Sequence, residues 1–233
     1  MPAWGRYEDL RPRQVEAILK EAPVAYLPWG SLEWHSYHNP IGLDALKVHG
    51  LCMMAAEQTG GVVWPPIFAG YQTMKPHVNF KHTIEVPAEV IMGLVNAYLD
   101  QCADEGFKLV VVVMGHYGSE HVKAIMHVVE NWPRVRQPGS DMKIWAFPEY
   151  RVREEAPLRG DHAGLYETSL MMFLRPELVD LSELPEDGEV CGTEAGFGIG
   201  GEDPRQSTVE YGKELAETIV SGIVEGVQQR LTD

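Results

Sequence analysis

The run Leu109-Val110-Val111-Val112-Val113-Met114 most constrains the fold of this chain. It is apolar at every position and rich in β-branched side chains, with no polar residue on either alternating face. Such a run is typical of a parallel strand that is covered on both faces, because a half-exposed strand would alternate apolar and polar residues. The run therefore predicts a sheet with helices on both sides.

The rest of the chain alternates between short apolar runs and helical patterns, which favours an α/β fold with a mostly parallel central sheet. Helical spacing of apolar residues predicts helices over residues 11–21, 44–59, 87–105, 119–131, 164–174 and 208–230. Further strands are predicted at 24–28, 62–64, 83–86 and 143–147. With no repeat or linker in the sequence, we predict a single three-layer domain over residues 1–233.

Composition excludes several classes of partner. Of 233 residues, 34 are acidic and 19 are Lys or Arg, which gives a net charge of −15. This charge opposes binding to nucleic acid or to an anionic membrane. Cys52, Cys102 and Cys191 form no paired pattern, which is typical of reduced thiols in a cytoplasmic protein. We find no secretory signal and no apolar run long enough to span a bilayer.

The loop that follows strand 24–28 carries a first group of candidate metal ligands. Glu33 and His35 are two residues apart and point to the same side of an extended backbone. Asp44 begins the next helical pattern, and a turn between them can bring its carboxylate back towards the other two. Carboxylate oxygen and imidazole nitrogen together suit zinc, manganese or iron. Surface Glu-x-His pairs are also common by chance, so a metal site here needs support from residues elsewhere in the chain.

Two further clusters follow at strand and helix ends. His116 lies in a glycine turn directly after the strand 109–114, where sites in open α/β sheets gather. Asp161-His162 has the residue types of an orienting carboxylate and a proton-transfer histidine. Glu167 lies about one helical turn from His162 on the same broad face.

In this order, the three clusters resemble the creatininase family of metal-dependent amidohydrolases. The third cluster reads His162-Ala163-Gly164-Leu165-Tyr166-Glu167-Thr168-Ser169, like the family's His-Ala-Gly-x-x-Glu-Thr-Ser block. The central turn is Met114-Gly115-His116-Tyr117-Gly118-Ser119, where family members carry Asn-Gly-His-Gly-Gly-Asn. The first block keeps every fixed member of the family pattern, namely Pro28, Gly30, Ser31, Glu33, His35, His38, Pro40 and Asp44.

The resemblance implies a site with two divalent metal ions (zinc, manganese or iron). It implies that Glu33 and His116 hold one ion, that His35 holds the other, and that Asp44 bridges them. In creatininase a glutamate follows the central histidine by two, but here that position is Gly118. Glu167 is the expected replacement ligand. His162 matches the proton donor, with Asp161 beside it, and the expected substrate contacts are His38, Trp34, Tyr117 and His82, together with Lys75, His77 and Lys81.

These features predict hydrolysis of a C–N bond in a small non-peptide amide, a cyclic amide such as creatinine, or a formamide. Two alternatives are a metal-dependent isomerase or lyase acting on a small polyol or keto acid, and a non-catalytic metal-binding protein. The departures from the family pattern, among them Trp34, Met114 and Ser119, indicate a substrate other than creatinine. The resemblance also implies a homo-oligomer, with a hexamer as one arrangement, and a small molecule as the partner.

Overall fold

The computed structural model describes residues 2–75, 80–192 and 195–232. Six of its helices match those predicted from the sequence to within a few residues, and short 3-10 turns lie outside these six helices. The helices are α1 (Pro12–Glu21), α2 (Leu43–Thr59), α3 (Ala88–Glu105), α4 (Ser119–Val135), α5 (Leu165–Leu174) and α6 (Val209–Thr232).

The strands form one sheet in which the described pairings are all parallel. The strands run in the order β1-β3-β2-β5-β6, and β4 pairs with the end of β2. This arrangement confirms the predicted α/β fold with helices flanking a parallel sheet. The strands are β1 (Trp4–Arg6), β2 (Val24–Gly30), β3 (Gly61–Val63), β4 (Ile67–Phe68), β5 (Leu109–Met114) and β6 (Lys143–Pro148).

Two apolar cores cover the two faces of the sheet, and alternate residues of each central strand enter opposite cores. From β5, Val110 and Val112 pack with α1, α3 and α4, whereas Val111 and Val113 pack with α2, α5 and α6. Every residue of β2 and β5 is buried. The unbroken apolar run of β5 is therefore explained, because it has no solvent-facing side.

The predicted strand 83–86 is wrong. This segment is extended, but it joins no strand, and only two of its amides reach neighbouring loops: Ile84 N donates to Leu32 O, and Val86 N donates to Gly70 O. The carboxylate of Glu85 accepts hydrogen bonds from the backbone N–H groups of Gln72 and Thr73. The segment thus supports two loops beside the strand ends rather than extending the sheet.

The start of α2 lies unusually close to the ends of β2 and β5, and two glycines allow this approach. A Cβ on Gly30 would lie 2.2 Å from Ala45 N, and a Cβ on Gly115 would lie 2.2 Å from Asp44 O. No side chain fits at either position without moving the helix. The glycines therefore place Asp44, in the first turn of α2, against the carboxyl ends of both central strands.

Two further findings bear on the sequence predictions. Within the residues described, no helix combines the length and apolar character needed to cross a bilayer. All three cysteines have free thiols, and two of them, Cys52 and Cys102, are buried.

Candidate metal centre

Five buried carboxylates and imidazoles converge at the carboxyl edge of the sheet. They come from the loop after β2, the first turn of α2, the turn after β5 and the first turn of α5. Among the described residues, their ligand atoms form overlapping groups of three in which all atoms lie within 4.8 Å of one another. The five residues are Glu33, His35, Asp44, His116 and Glu167, and His162 forms a further group of three with Glu33 and His35.

The first triad consists of Glu33, Asp44 and His116. His116 Nδ1 lies 2.9 Å from Glu33 Oε2 and 3.4 Å from Asp44 Oδ2. Its other ring nitrogen, Nε2, donates to the carbonyl oxygen of Tyr71 at 2.9 Å, and a carbonyl can only accept. This bond fixes the tautomer and leaves Nδ1 as the ligand atom, as is usual for metal-binding histidines.

The second triad shares Asp44 with the first. His35 Nε2 lies 3.1 Å from Asp44 Oδ1 and 3.6 Å from Glu167 Oε2. His35 Nδ1 is 3.0 Å from the carbonyl oxygen of Glu33, which again assigns the proton to the nitrogen facing away from the site. The two oxygens of Asp44 therefore face different triads. This is the division of ligands that the resemblance implies, and ion binding itself stays a prediction.

The donor atoms fit divalent metal ions. His35 Nε2 is fully buried and makes no well-directed hydrogen bond, although two carboxylate oxygens lie within 3.6 Å. Burial disfavours a charged His35 imidazole, but Asp44, Glu167 and Glu33 outweigh burial and raise its pKa to about 9. The pKa of His116 is likewise raised well above its usual value by Glu33 and Asp44, despite burial. The negative charge of the carboxylates thus favours a positive charge at both triads. Sites with imidazole nitrogen and carboxylate oxygen ligands suit zinc or manganese.

Glu167 is held in place from two directions. Its Oε1 accepts a hydrogen bond from Lys47 Nζ at 2.6 Å, and its Oε2 accepts one from Ala163 N at 2.8 Å. Asp161 supports the same helix turn, because its carboxylate accepts hydrogen bonds from Tyr166 N and Glu167 N at 2.8 and 3.2 Å. Burial, followed by the charge of Glu167, raises the pKa of Asp161 to about 7.

His162 lies over the second triad, with its ring centroid 4.4 Å from that of His35. Its Nε2 donates to the carbonyl oxygen of Trp34 at 2.8 Å. The expected role of Asp161 in orienting this ring is therefore a correction: Asp161 caps α5, and the Trp34 carbonyl orients His162. Burial and the nearby charge of His35 lower the pKa of His162.

A cavity of about 670 Å³ opens beside the two triads. One end is formed by Glu33, Asp44, His116, Glu167 and His162, and the remaining wall carries tyrosines, small loop residues and one arginine. The volume falls in the range of small-molecule sites, roughly 300–1,000 Å³. Lining residues away from the triads include Tyr117, Tyr150, Tyr166, Tyr211, Leu158 and Arg159.

Of the predicted substrate contacts, Tyr117 lines this cavity. His38 is buried elsewhere, with Nε2 3.0 Å from Thr168 Oγ1. The Trp34 indole stacks on Phe80 with centroids 5.2 Å apart, so its backbone rather than its ring serves the site. The remaining candidates lie outside the cavity wall or outside the described residues. Lys75, Lys81 and His82 are exposed and do not line the cavity, and His77 lies outside the described residues.

Sequence reasoning missed two charged residues behind Glu167. Lys47 and Glu149 are both fully buried, and Lys47 Nζ lies 2.9 Å from Glu149 Oε1. A signal for each exists in the sequence. Lys47 falls one turn after Asp44 among the apolar positions of α2, and Glu149 directly follows the end of β6.

Comparison with known proteins gives the family. Residues 8–227 match the profile described as Creatininase: Creatinine amidohydrolase. The chain belongs to the creatininase family. The resemblance carried by the three sequence clusters is thereby confirmed.

Three curated relatives of this creatininase-family chain have different activities. The creatinine amidohydrolase of Pseudomonas putida is 27% identical over 69% of this chain and 68% of its own length. The 3-dehydro-scyllo-inosose hydrolase of Thermotoga maritima is 27% identical over 76% of this chain and 58% of its own length. The mycofactocin precursor peptide peptidase of Mycobacterium ulcerans is 30% identical over 67% of this chain and 60% of its own length. The matches to the last two relatives thus span less than two thirds of their length.

Solved structures confirm the creatininase fold. A crystal structure of creatinine amidohydrolase (creatininase) superimposes with a TM-score of 0.80 at 26% identity, covering 96% of both chains. Other solved creatininases include a Zn-Zn type and a manganese form, at 23% and 24% identity.

Proposed function

We propose that this chain is a metal-dependent amidohydrolase that cleaves a C–N bond of a small amide, cyclic amide or formamide. The observation that carries the proposal is the pair of buried triads sharing Asp44, whose two carboxylate oxygens face His35 and His116 separately. A carboxylate placed in this way suits two ions held close together. Membership of the creatininase family supports the same assignment, as do the zinc and manganese forms of the solved creatininases.

Divalent ions bound to such a site would polarise an amide carbonyl and lower the pKa of a water molecule. The residues of the chain supply the remaining chemistry. Because Nε2 of His162 donates to the Trp34 carbonyl, Nδ1 is left to accept a proton. The lowered pKa of His162 keeps the ring neutral near pH 7, so that it can first take a proton from the attacking water.

The same histidine can then return the proton to the departing nitrogen, which is a poor leaving group unless it is protonated. When His162 is charged, the Trp34 carbonyl stabilises Nε2–H, and the nearby carboxylates of Glu33 and Glu167 favour the imidazolium. His162 is therefore the proposed proton-transfer residue. The tyrosine-lined cavity next to it would hold the part of the substrate that does not react.

A second candidate is hydrolysis of an inosose-like compound. The observation in its favour is the match to the 3-dehydro-scyllo-inosose hydrolase, which covers 76% of this chain. A carbonyl would be attacked in the same position, so the two activities need the same metal centre. Products formed in ¹⁸O-labelled water would separate either hydrolysis from an isomerase or lyase reaction if the label is sought in a newly formed carboxylate, because a carboxylate keeps its oxygens at neutral pH whereas a ketone exchanges its oxygen with water.

The first test is the metal content per chain of wild-type, Asp44→Ala and Glu167→Ala protein, purified without chelators or metal-binding tags. We expect about two ions in the wild type, loss of both in Asp44→Ala, and loss of one in Glu167→Ala. A screen of amides, formamides and inososes would follow with the metal found. Absence of metal after reloading would overturn the proposal, and a single ion that is retained in Glu167→Ala would remove Glu167 as a ligand.

A further inference from the structure

Lys47 is a fully buried lysine that contacts a proposed metal ligand. Its ammonium group lies 2.6 Å from Glu167 Oε1, 2.9 Å from Glu149 Oε1 and 2.6 Å from the Tyr117 hydroxyl. The Tyr117 ring covers it, with its centroid 4.5 Å from Nζ. Because the side chains of Lys47, Glu149 and Glu167 are buried, solvent screens their charges little, and electrostatic effects act strongly here.

Two carboxylates compete for this single ammonium group. Glu149 is fully buried, and its Oε1 lies against Lys47 Nζ and accepts a hydrogen bond from the Tyr117 hydroxyl. Burial raises the pKa of Glu149, whereas the charge of Lys47 and the Tyr117 hydrogen bond oppose this shift and favour the carboxylate. Its other oxygen, Oε2, has no hydrogen-bond partner. Asp44 lies one turn before Lys47 on α2 and adds a third negative charge nearby. Among the described residues, Lys47 is the one lysine or arginine that forms an ion pair with Glu167, and unlike His35 it is not a proposed metal ligand.

The two oxygens of the Glu167 carboxylate have different partners. Oε1 is taken by the ammonium group, whereas Oε2 faces His35 Nε2 at 3.6 Å. An ion bound through Oε2 would share the charge of Glu167 with Lys47 and would be repelled by the ammonium. Glu149 has the opposite influence, because it neutralises Lys47 from the far side.

We propose that Lys47 and Glu149 are positioning residues that set the affinity of the second triad for its ion, with Lys47 weakening it and Glu149 strengthening it. The inference rests on the proposed two-metal site. A second ion held in this way is the weaker of the two and retains more of its positive charge. That charge polarises a substrate carbonyl. Lys47 and Glu149 together therefore lower the affinity for the second ion while leaving that ion more able to activate a substrate.

The test measures the affinity of each position for Zn²⁺ in competition with a chromophoric chelator, using full-length protein stripped of metal. Lys47→Met should tighten the second binding event by about 10- to 100-fold, the size of effect usual for groups behind metal ligands. Glu149→Gln should weaken the same event by a similar factor, because it leaves Lys47 uncompensated. The first event should change by less than about threefold in both variants.

Two control variants accompany these. Tyr117→Phe removes the hydroxyl that contacts both Lys47 and Glu149 but removes no charge, so it should change the second affinity by less than Lys47→Met does. Lys108→Met removes an exposed lysine that pairs with Asp141 on the surface, and should change neither affinity. Either control behaving like Lys47→Met would show that the effect is not due to the buried charge.

The opposite signs expected for the two variants make the inference falsifiable. If Lys47 only supported the structure, both substitutions would loosen Glu167 and both would weaken the second event, which overturns the proposal. If Lys47→Met does not fold, an unchanged or tighter second event in Glu149→Gln overturns it equally. Failure of the wild type to bind a second ion is a different outcome, because it would refute the two-metal function itself.

Discussion

Metal binding to this site should release protons and strengthen steeply as pH rises. In the metal-free protein the pKa of His35 is raised to about 9, and that of His116 is raised well above its usual value. Both imidazoles are therefore positively charged at pH 7, and each must lose the proton on the nitrogen that faces the site before that nitrogen can hold an ion. We expect about two protons released when two ions bind at pH 7, one from each ring.

The free energy needed to deprotonate His35 follows from its pKa. Removing its proton at pH 7, two units below a pKa of about 9, costs about 2.7 kcal/mol, or about a hundredfold in affinity. The cost disappears as pH approaches 9, so the affinity of the second triad should rise about tenfold per pH unit over this range.

The stability of the metal-free protein should change in the opposite direction. A pKa raised in the folded state stabilises the protein below the unfolded value, about 6.5 for histidine, and this contribution is lost as pH rises to about 9. The difference in free energy of unfolding between metal-loaded and metal-free protein should therefore widen from pH 6.5 to 9.

Isothermal titration calorimetry in buffers of different ionisation enthalpy counts the released protons directly. Urea denaturation at several pH values measures the two stabilities. His35→Asn is the matched variant, because an amide keeps a polar side chain of similar reach but carries no titrating proton, and it should release one proton fewer. Binding that releases no protons, with an affinity that is flat between pH 6.5 and 9, would refute the reasoning.

Three further predictions follow from individual contacts. His162→Ala should keep its metal content but lose about 10²- to 10⁴-fold in kcat/KM, as expected for a lost proton-transfer group; unchanged turnover of an identified substrate would remove His162 from the mechanism. Gly115→Ala should lower the free energy of unfolding by about 1–3 kcal/mol and reduce metal content, because its Cβ would lie 2.2 Å from Asp44 O. Gly93→Ala, in open space on α3, is its control and should stabilise the protein by about 0.5–1 kcal/mol; equal effects in urea denaturation would contradict the close approach. Asp161→Ala should cost about 0.5–2 kcal/mol, because it removes the acceptor for two amides at the start of α5; an unchanged denaturation midpoint would show that the cap is unimportant.

The sequence predicted the sheet well where apolar runs were long. β2 and β5 were found because burial on both faces removes every polar position from the strand. The short edge strands Trp4–Arg6 and Ile67–Phe68 were missed, since two or three residues carry no periodicity. Residues 83–86 have a strand-like composition, but composition cannot show whether a free sheet edge lies within reach.

The site was predictable in its residue types but not in its supporting contacts. Adjacency suggested that Asp161 orients His162, yet successive side chains of an extended segment point to opposite sides. His162 pairs there with Gly200 in an isolated β-bridge, so Asp161 faces the helix instead. Lys47 was overlooked for a different reason: its partners Glu149 and Glu167 are distant in sequence, and only the folded chain brings the three charges together.

The two triads draw on different lengths of the chain. Glu33, Asp44 and His116 all precede α4, so the first triad is complete once β5 has joined β2. Glu167 belongs to α5, which is added later as the polypeptide leaves the ribosome. A fragment that ends before α5 would therefore contain every ligand of the first triad but would lack Glu167, and it would also lack two of the helices that cover one face of the sheet.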